Sequence, residues 1–164
     1  MEIRRLRPEE FEEAGAVTAG AYAEYAPGGA SPNLDYRDRL ADVVTRAEQA
    51  LVLGAFEDGR VLGTVTLELD RRIPGGHPRP PLRPDQAHVR MLGVDESARR
   101  AGVGRALMEA CLEEARRAGK ARVTLETTET MEAAQRLYEA MGFERRADEV
   151  FDDGFLLRTY EYRL

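Results

Sequence analysis

The run Ala87–Gly119, AHVRMLGVDESARRAGVGRALMEACLEEARRAG, decides how the rest of the chain is read. Val89, Met91, Leu92 and Val94 give its first part the character of a strand over His88–Val94. Asp95–Arg100 is polar and basic and reads as a loop. From about Gly104 to Ala118 a helix is predicted, because Val103, Leu107, Met108, Cys111, Leu112 and Ala115 form one broad apolar stripe. Gly119 supplies the left-handed residue that ends such a helix. At the join, Arg99-Arg100-Ala101-Gly102-Val103-Gly104-Arg105 sets two glycines and three arginines at a helix start. Backbone amides there are unpaired and carry a partial positive charge. Glycine lets a ligand approach that backbone, and guanidinium adds forked charge. The pattern suits a phosphate or diphosphate. The same residues would also serve as an ordinary strand-to-helix turn with solvated arginines.

Composition narrows the class. With 164 residues, 43% hydrophobic and 33% charged, the chain suits one soluble domain with a substantial core, spanning 1–164. A net charge of -6 argues against general nucleic-acid binding. Cys111 is the sole cysteine and lies among apolar neighbours, so it reads as a small buried hydrophobe. No intrachain disulfide can form, and neither zinc-type spacing nor any other metal signature is present. The N-terminal MEIRRLRPEEFEEAG lacks an apolar signal region and no run approaches a membrane span, so a cytoplasmic location away from membranes is expected.

Along the chain, Ile3–Arg7 alternates as a strand, and Pro8 opens a helix running to about Tyr25 with Phe11, Ala14 and Val17 inward. Ala26–Asn33 is a breaker, and a second helix is expected over about Asp35–Ala47 with Leu40, Val43 and Val44 as its apolar side. Ala50–Phe56 and Val61–Leu69 flank Glu57-Asp58-Gly59-Arg60 as a hairpin. Asp70–Gln86 holds five of the eight prolines, and reads equally as a functional lid or a disordered insertion. Arg122–Glu126 is a strand, Thr128 or Thr130 is expected to cap the next helix, and Gly142 closes it. Strands near Phe143–Val150 and Phe155–Arg163 end the chain, giving the order βααβββαβαββ. That is a mixed α/β (α+β) fold, a mostly antiparallel central sheet flanked by helices.

The R-x-x-G-x-G run after Leu92-Gly93-Val94 resembles the acetyl-CoA signature (Q/R-x-x-G-x-G/A) of the GCN5-related N-acetyltransferases, the GNAT family. Neither a dinucleotide G-x-G-x-x-G nor a P-loop fits the same glycines. Ala134–Phe143 (AQRLYEAMGF) resembles the family's A-x-x-L-Y-x-x-x-G-F block, in the right order downstream. The resemblance covers nearly the whole chain. It implies a GNAT fold and an acetyl-CoA-dependent N-acetyltransferase acting on a primary amine of a small molecule by direct transfer. Two alternatives stay open, a non-catalytic acyl-CoA-binding module and an acetyltransferase of protein or peptide amines. Family members often dimerise, which leaves a homodimer open.

Residue by residue, the resemblance puts the diphosphate of acetyl-CoA against Arg99, Arg100, Ala101, Gly102, Val103, Gly104 and Arg105. It runs the pantetheine arm beside Leu92, Gly93 and Val94 as an added strand would run. Gly93 marks a bulge or a close ligand approach, and Val94, with Leu92 as a second donor, polarises the thioester carbonyl. Tyr138 stands at the family's Tyr position as general acid for the CoA thiolate, or else is a core aromatic. For the base, strand alternation groups His88, Arg90 and Leu92, and His88 is the first candidate. Glu126 and Glu68 are its rivals, a water chain to bulk solvent would also suffice, and the plain alternative is a half-exposed strand histidine. Met131 stands where many members have Asn in contact with the cofactor, so either affinity is lower or Thr128 or Thr130 substitutes. The acceptor side falls to Tyr22–Asp35, Arg71–Gln86 and Glu149–Phe155.

Overall fold

The computed structural model describes residues 1–25, 34–75 and 77–164. Strand β1 (Glu2–Arg5) leads through one 3-10 turn into helix α1 (Phe11–Tyr22). Helices α2 (Leu34–Ala41) and α3 (Val43–Gln49) precede the hairpin β2 (Leu51–Glu57) and β3 (Arg60–Glu68). Then come β4 (Gln86–Val94), α4 (Val103–Arg117), β5 (Arg122–Thr127), α5 (Glu132–Ala140), β6 (Glu144–Arg145), β7 (Glu149–Val150) and β8 (Leu156–Arg163). The sheet runs β1-β2-β3-β4-β5-β8-β6, with β7 also on β8. Among the described residues only β4 and β5 pair in parallel, joined by the α4 crossover; every other pairing is antiparallel. The expected mixed, mostly antiparallel architecture is the one observed.

The β2–β3 turn holds Asp58 at φ 50 and Gly59 at φ 80, the two left-handed residues a tight hairpin needs. One face of the sheet buries Val65, Leu67, Ala87, Val89, Val123 and Leu125 in one apolar cluster with Leu107, Met108, Cys111 and Ala115 of α4. A second cluster joins Ala14 and Val43 to Val52, Phe56 and Val61 beneath α1 and α3. Burial drives the Cys111 thiol far up, consistent with a packing role.

Three local expectations need correction. The helix expected over Asp35–Ala47 is two, because Asp42 leaves helical geometry (ψ 78) and its carboxylate accepts from the Thr45 amide at 3.0 Å to cap α3. That turn leaves Val44 54% exposed while Leu40 and Val43 are buried. The strand near Phe143–Val150 shrinks to the two short pieces β6 and β7. Neither Thr128 nor Thr130 caps α5: their hydroxyls lie 3.1 Å from one another, and Met131 holds the N-cap position with no side-chain bond. The Ala26–Asn33 breaker lies outside the described residues.

Candidate active site

At the centre of the sheet β4 and β5 run together only from Gln86/Arg122 to Val89/Leu125, and then part. The cause lies in β4. Arg90 pairs with Thr66 and Gly93 with Thr64, so Met91 and Leu92 together stand against Val65 alone. Met91 absorbs the extra residue with a left-handed φ of 54. The bulge is therefore two residues earlier than the glycine suggested. Gly93 has another reason to be glycine: a Cβ there would lie 3.1 Å from the Ala21 Cβ and 3.3 Å from the Thr18 Cα. It is α1, not a strand bulge, that demands the missing side chain.

The gap opens into a cleft of about 590 Å³. Leu92, Gly93 and Val94 form one wall; Arg99, Arg100, Gly102, Val103, Gly104 and Arg105 form the end at α4. Met131, Ala134, Leu137 and Tyr138 of α5 face them, with Glu126 and Thr127 at the tip of β5 and Ala21 and Tyr22 at the end of α1. Of the sequence-predicted cofactor residues, only Ala101 is off the lining. Arg100 and Gly102 are both left-handed, φ 65 and 81, a backbone form that turns successive amides to one side. The bond from the Ala106 amide to the Gly102 carbonyl (3.0 Å) opens α4, so the amides of Val103, Gly104 and Arg105 precede the helical ladder. Arg99 reaches across the mouth to Glu24 at 2.7 Å, a half-exposed pair. A second groove of about 480 Å³ lies between α4 and β1–β2, but its Arg117 is paired with its own Glu113 and Glu114.

Tyr138 and Glu126 are both on the lining of the cleft. Tyr138 is buried, and burial raises its hydroxyl well above the usual phenol range, so it stays protonated. Its ring packs against Phe143 and Tyr160 at 5.9 Å, so it is also a core aromatic. Burial likewise lifts Glu126, against the pull of Arg79 and Arg72.

His88 does not reach the lining. It is 3% exposed, its Nδ1 lies 2.8 Å from the Thr124 hydroxyl, and its Nε2 stands 3.7 Å from Glu126 Oε2. Burial, then Arg72, Arg90 and Arg79, push its imidazole well below the usual histidine range, so it is neutral. Glu68 is fully buried and is held by the Ile73 amide (2.8 Å) and by Arg90 (3.1 Å). Alternation on β4 grouped His88 with Arg90 and Leu92, but the bulge at Met91 breaks it: Leu92 lines the cleft and His88 does not, and Glu126, one strand over, is a carboxylate on the cleft.

Thr127 was missed. Its hydroxyl is buried on the cleft wall with no hydrogen-bond partner among the described residues. A strand-end threonine carries no local signal of that. Arg79 was missed as well; it pairs with Glu126 across 47 residues of sequence, beyond any periodicity.

A family model for the acetyltransferase (GNAT) family matches residues 8–143, and the chain belongs to that family. A Staphylococcus aureus Mu50 acetyltransferase of the same family superposes with a TM-score of 0.75 at 15% identity, over 99% of this chain and 98% of that one. The protein yncA from Salmonella typhimurium, solved with its cofactor acetyl-CoA, gives 0.73 at 22% identity over 100% and 94%. A Brucella melitensis ribosomal-protein-alanine N-acetyltransferase gives 0.70 at 20% identity over the whole of both chains. Among curated proteins no sequence match is found. Among the described residues no helix is long and apolar enough to cross a membrane.

Proposed function

We propose that this chain transfers the acetyl group of acetyl-CoA to a primary amine of a small molecule, both bound at once in the cleft. One observation carries the reading. A single cleft is lined by the glycine-headed start of α4, by the β4 strand at the gap between β4 and β5, and by both a protonated tyrosine and a carboxylate. The α4 turn suits the diphosphate of CoA, because free amides and three arginines converge there. Beyond the bulge, Leu92 and Val94 offer main-chain groups to an extended arm and to the thioester carbonyl. Bound acetyl-CoA supplies the acyl group as a thioester.

The residues of the chain manage two protons. An alkyl ammonium has a pKa of about 10.4 in water, so the acceptor must lose a proton before its lone pair can attack. Glu126 is the proton acceptor on the cleft wall, directly or through one water. Tyr138, kept neutral by burial, donates to the sulfur as the C–S bond breaks. His88 stands behind Glu126 as a neutral neighbour. Near Glu126 the charged side chains are already paired with one another, Arg79 with Glu149 and Arg90 with Glu68.

The test is release of free thiol from acetyl-CoA across a panel of small amines and N-terminal peptides. Turnover of small amines is expected. Peptide turnover exceeding theirs would move the acceptor to the protein class, and silence across the panel despite CoA binding would leave an acyl-CoA-binding module. Tyr138→Phe separates enzyme from module: the rate should fall while CoA affinity is kept.

A further inference from the structure

The proline-rich stretch between β3 and β4 is tied down at two of its four arginines, Arg72 and Arg79. Arg79 Nη2 binds Glu126 Oε1 and also Glu149 Oε2, the latter at 2.6 Å. Its guanidinium lies 5.5 Å over the Phe151 ring. Arg72 Nη1 approaches the same Glu126 Oε1 at 3.9 Å. Two residues before Arg79, the His77 ring stacks on Phe155 at 5.0 Å, packs on Phe151 at 4.3 Å, and meets Asp153 at 2.9 Å. The stretch is thus fastened to the Glu149–Phe155 turn and, through it, to β8, which pairs with β7.

The consequence for Glu126 is an asymmetry between its two oxygens. Oε1 is taken by arginines. Among the described residues Oε2 accepts no hydrogen bond; the neutral His88 Nε2 approaches it at 3.7 Å, too long for one. The charged and titratable groups facing this carboxylate are therefore Arg72 and Arg79 from the strap, His88 from β4 and Glu149 from β7, with Tyr138 across the cleft from α5.

We propose that Arg79, with Arg72 in support, is a positioning residue for acetyl transfer: it holds Oε1 of Glu126 so that Oε2 is left as the oxygen that takes the amine proton. In that step the N–H bond of the ammonium breaks, an O–H bond forms at Oε2, and the freed nitrogen lone pair attacks the acyl carbon. Two positive charges beside Oε1 favour the ionised carboxylate and oppose the upward push of burial, which a proton acceptor requires. The strap is then a part of the active site. It rests on the reading of Glu126 as proton acceptor given above.

The experiment is the pH profile of kcat/KM for acetyl-CoA with a small amine, in wild type, Arg79→Gln, Arg79→Lys and Glu126→Gln. Arg79→Gln should move the acid limb upward by about one pH unit, the lower end of what an adjacent opposite charge contributes. At the wild-type midpoint that is a further fall of roughly fivefold. Arg79→Lys restores the limb in part, since it returns the charge without the fork. CoA-induced thermal stabilisation should be unchanged, because the diphosphate end lies elsewhere. If Arg79→Gln does not fold, His77→Ala, which frees the strap from the Phe151–Phe155 pair, should move the limb in the same direction by less. An unmoved limb in Arg79→Gln or, failing that, in His77→Ala overturns the inference. So does equal damage from Gln and Lys. Loss of thiol release with every amine in wild type would instead overturn the transferase reading, and full activity of Glu126→Gln would overturn the choice of base together with the role of Arg79.

Discussion

Gly102 and Gly59 form a matched pair for testing the diphosphate cradle. Both hold left-handed backbone, φ +81 and +80, and a Cβ built on either meets nothing within 4 Å. Alanine at either position thus clashes with nothing and bears only the left-handed penalty of about 1–2 kcal/mol. For a chain of 164 residues that is a fall in Tm of roughly 2–8 °C. The two positions differ in place: Gly59 lies in the β2–β3 turn, and Gly102 caps α4 on the cleft. With CoA at about a hundred times its Kd, wild type should gain about 2.7 kcal/mol, or roughly 5–11 °C. Gly59→Ala should keep that whole increment on a lower baseline. Gly102→Ala puts a methyl group where an anion would meet the amides. A tenfold loss of affinity there cuts the increment to about 1.4 kcal/mol at the same CoA concentration. Melting curves with and without CoA, backed by titration calorimetry, read both effects. Retention of the full increment by Gly102→Ala would refute the cradle. An equal loss in Gly59→Ala would show that the effect comes through stability alone.

Two further outcomes follow from buried polar groups. Thr127→Val removes a hydroxyl that has no partner among the described residues. The apo protein should melt no lower, while CoA binds roughly 2- to 12-fold more weakly, the worth of one hydrogen bond; unchanged affinity in calorimetry would detach Thr127 from the cofactor. His88 is buried neutral, with its folded-state pKa depressed by burial and by nearby arginines. Its contribution to stability is therefore present above the unfolded-state value of about 6.5 and lost as pH falls below it, with a limiting slope of about 1.4 kcal/mol per pH unit. Urea unfolding from pH 7 down to pH 5 (roughly the window between histidine and carboxylate titration) should show that slope in wild type and a flatter one in His88→Gln. Parallel slopes would mean that His88 charges without cost.

The order of the elements, the glycine-headed start of α4 and the Ala134–Phe143 block are all legible in the chain alone. Each is encoded within about fifteen residues, by apolar period, turn chemistry or a capping glycine, and local backbone preference suffices to express it. The α4 end of the cleft follows from these, and eleven of the twelve residues expected to contact the cofactor line the cleft. The surroundings of Glu126 do not. Alternation on β4 assumes a regular strand, whereas Met91 takes a left-handed conformation and opens the sheet where no glycine marks it. Gly93 proves to be a contact point for α1, a neighbour more than seventy positions earlier. Glu126 reaches the cleft because β5 ends beside that opening, and its partner Arg79 arrives from a proline-rich stretch without any periodic pattern. Burial and pairing between distant segments exist only once the sheet has closed, so which carboxylate is left with a free oxygen is a decision of the tertiary structure.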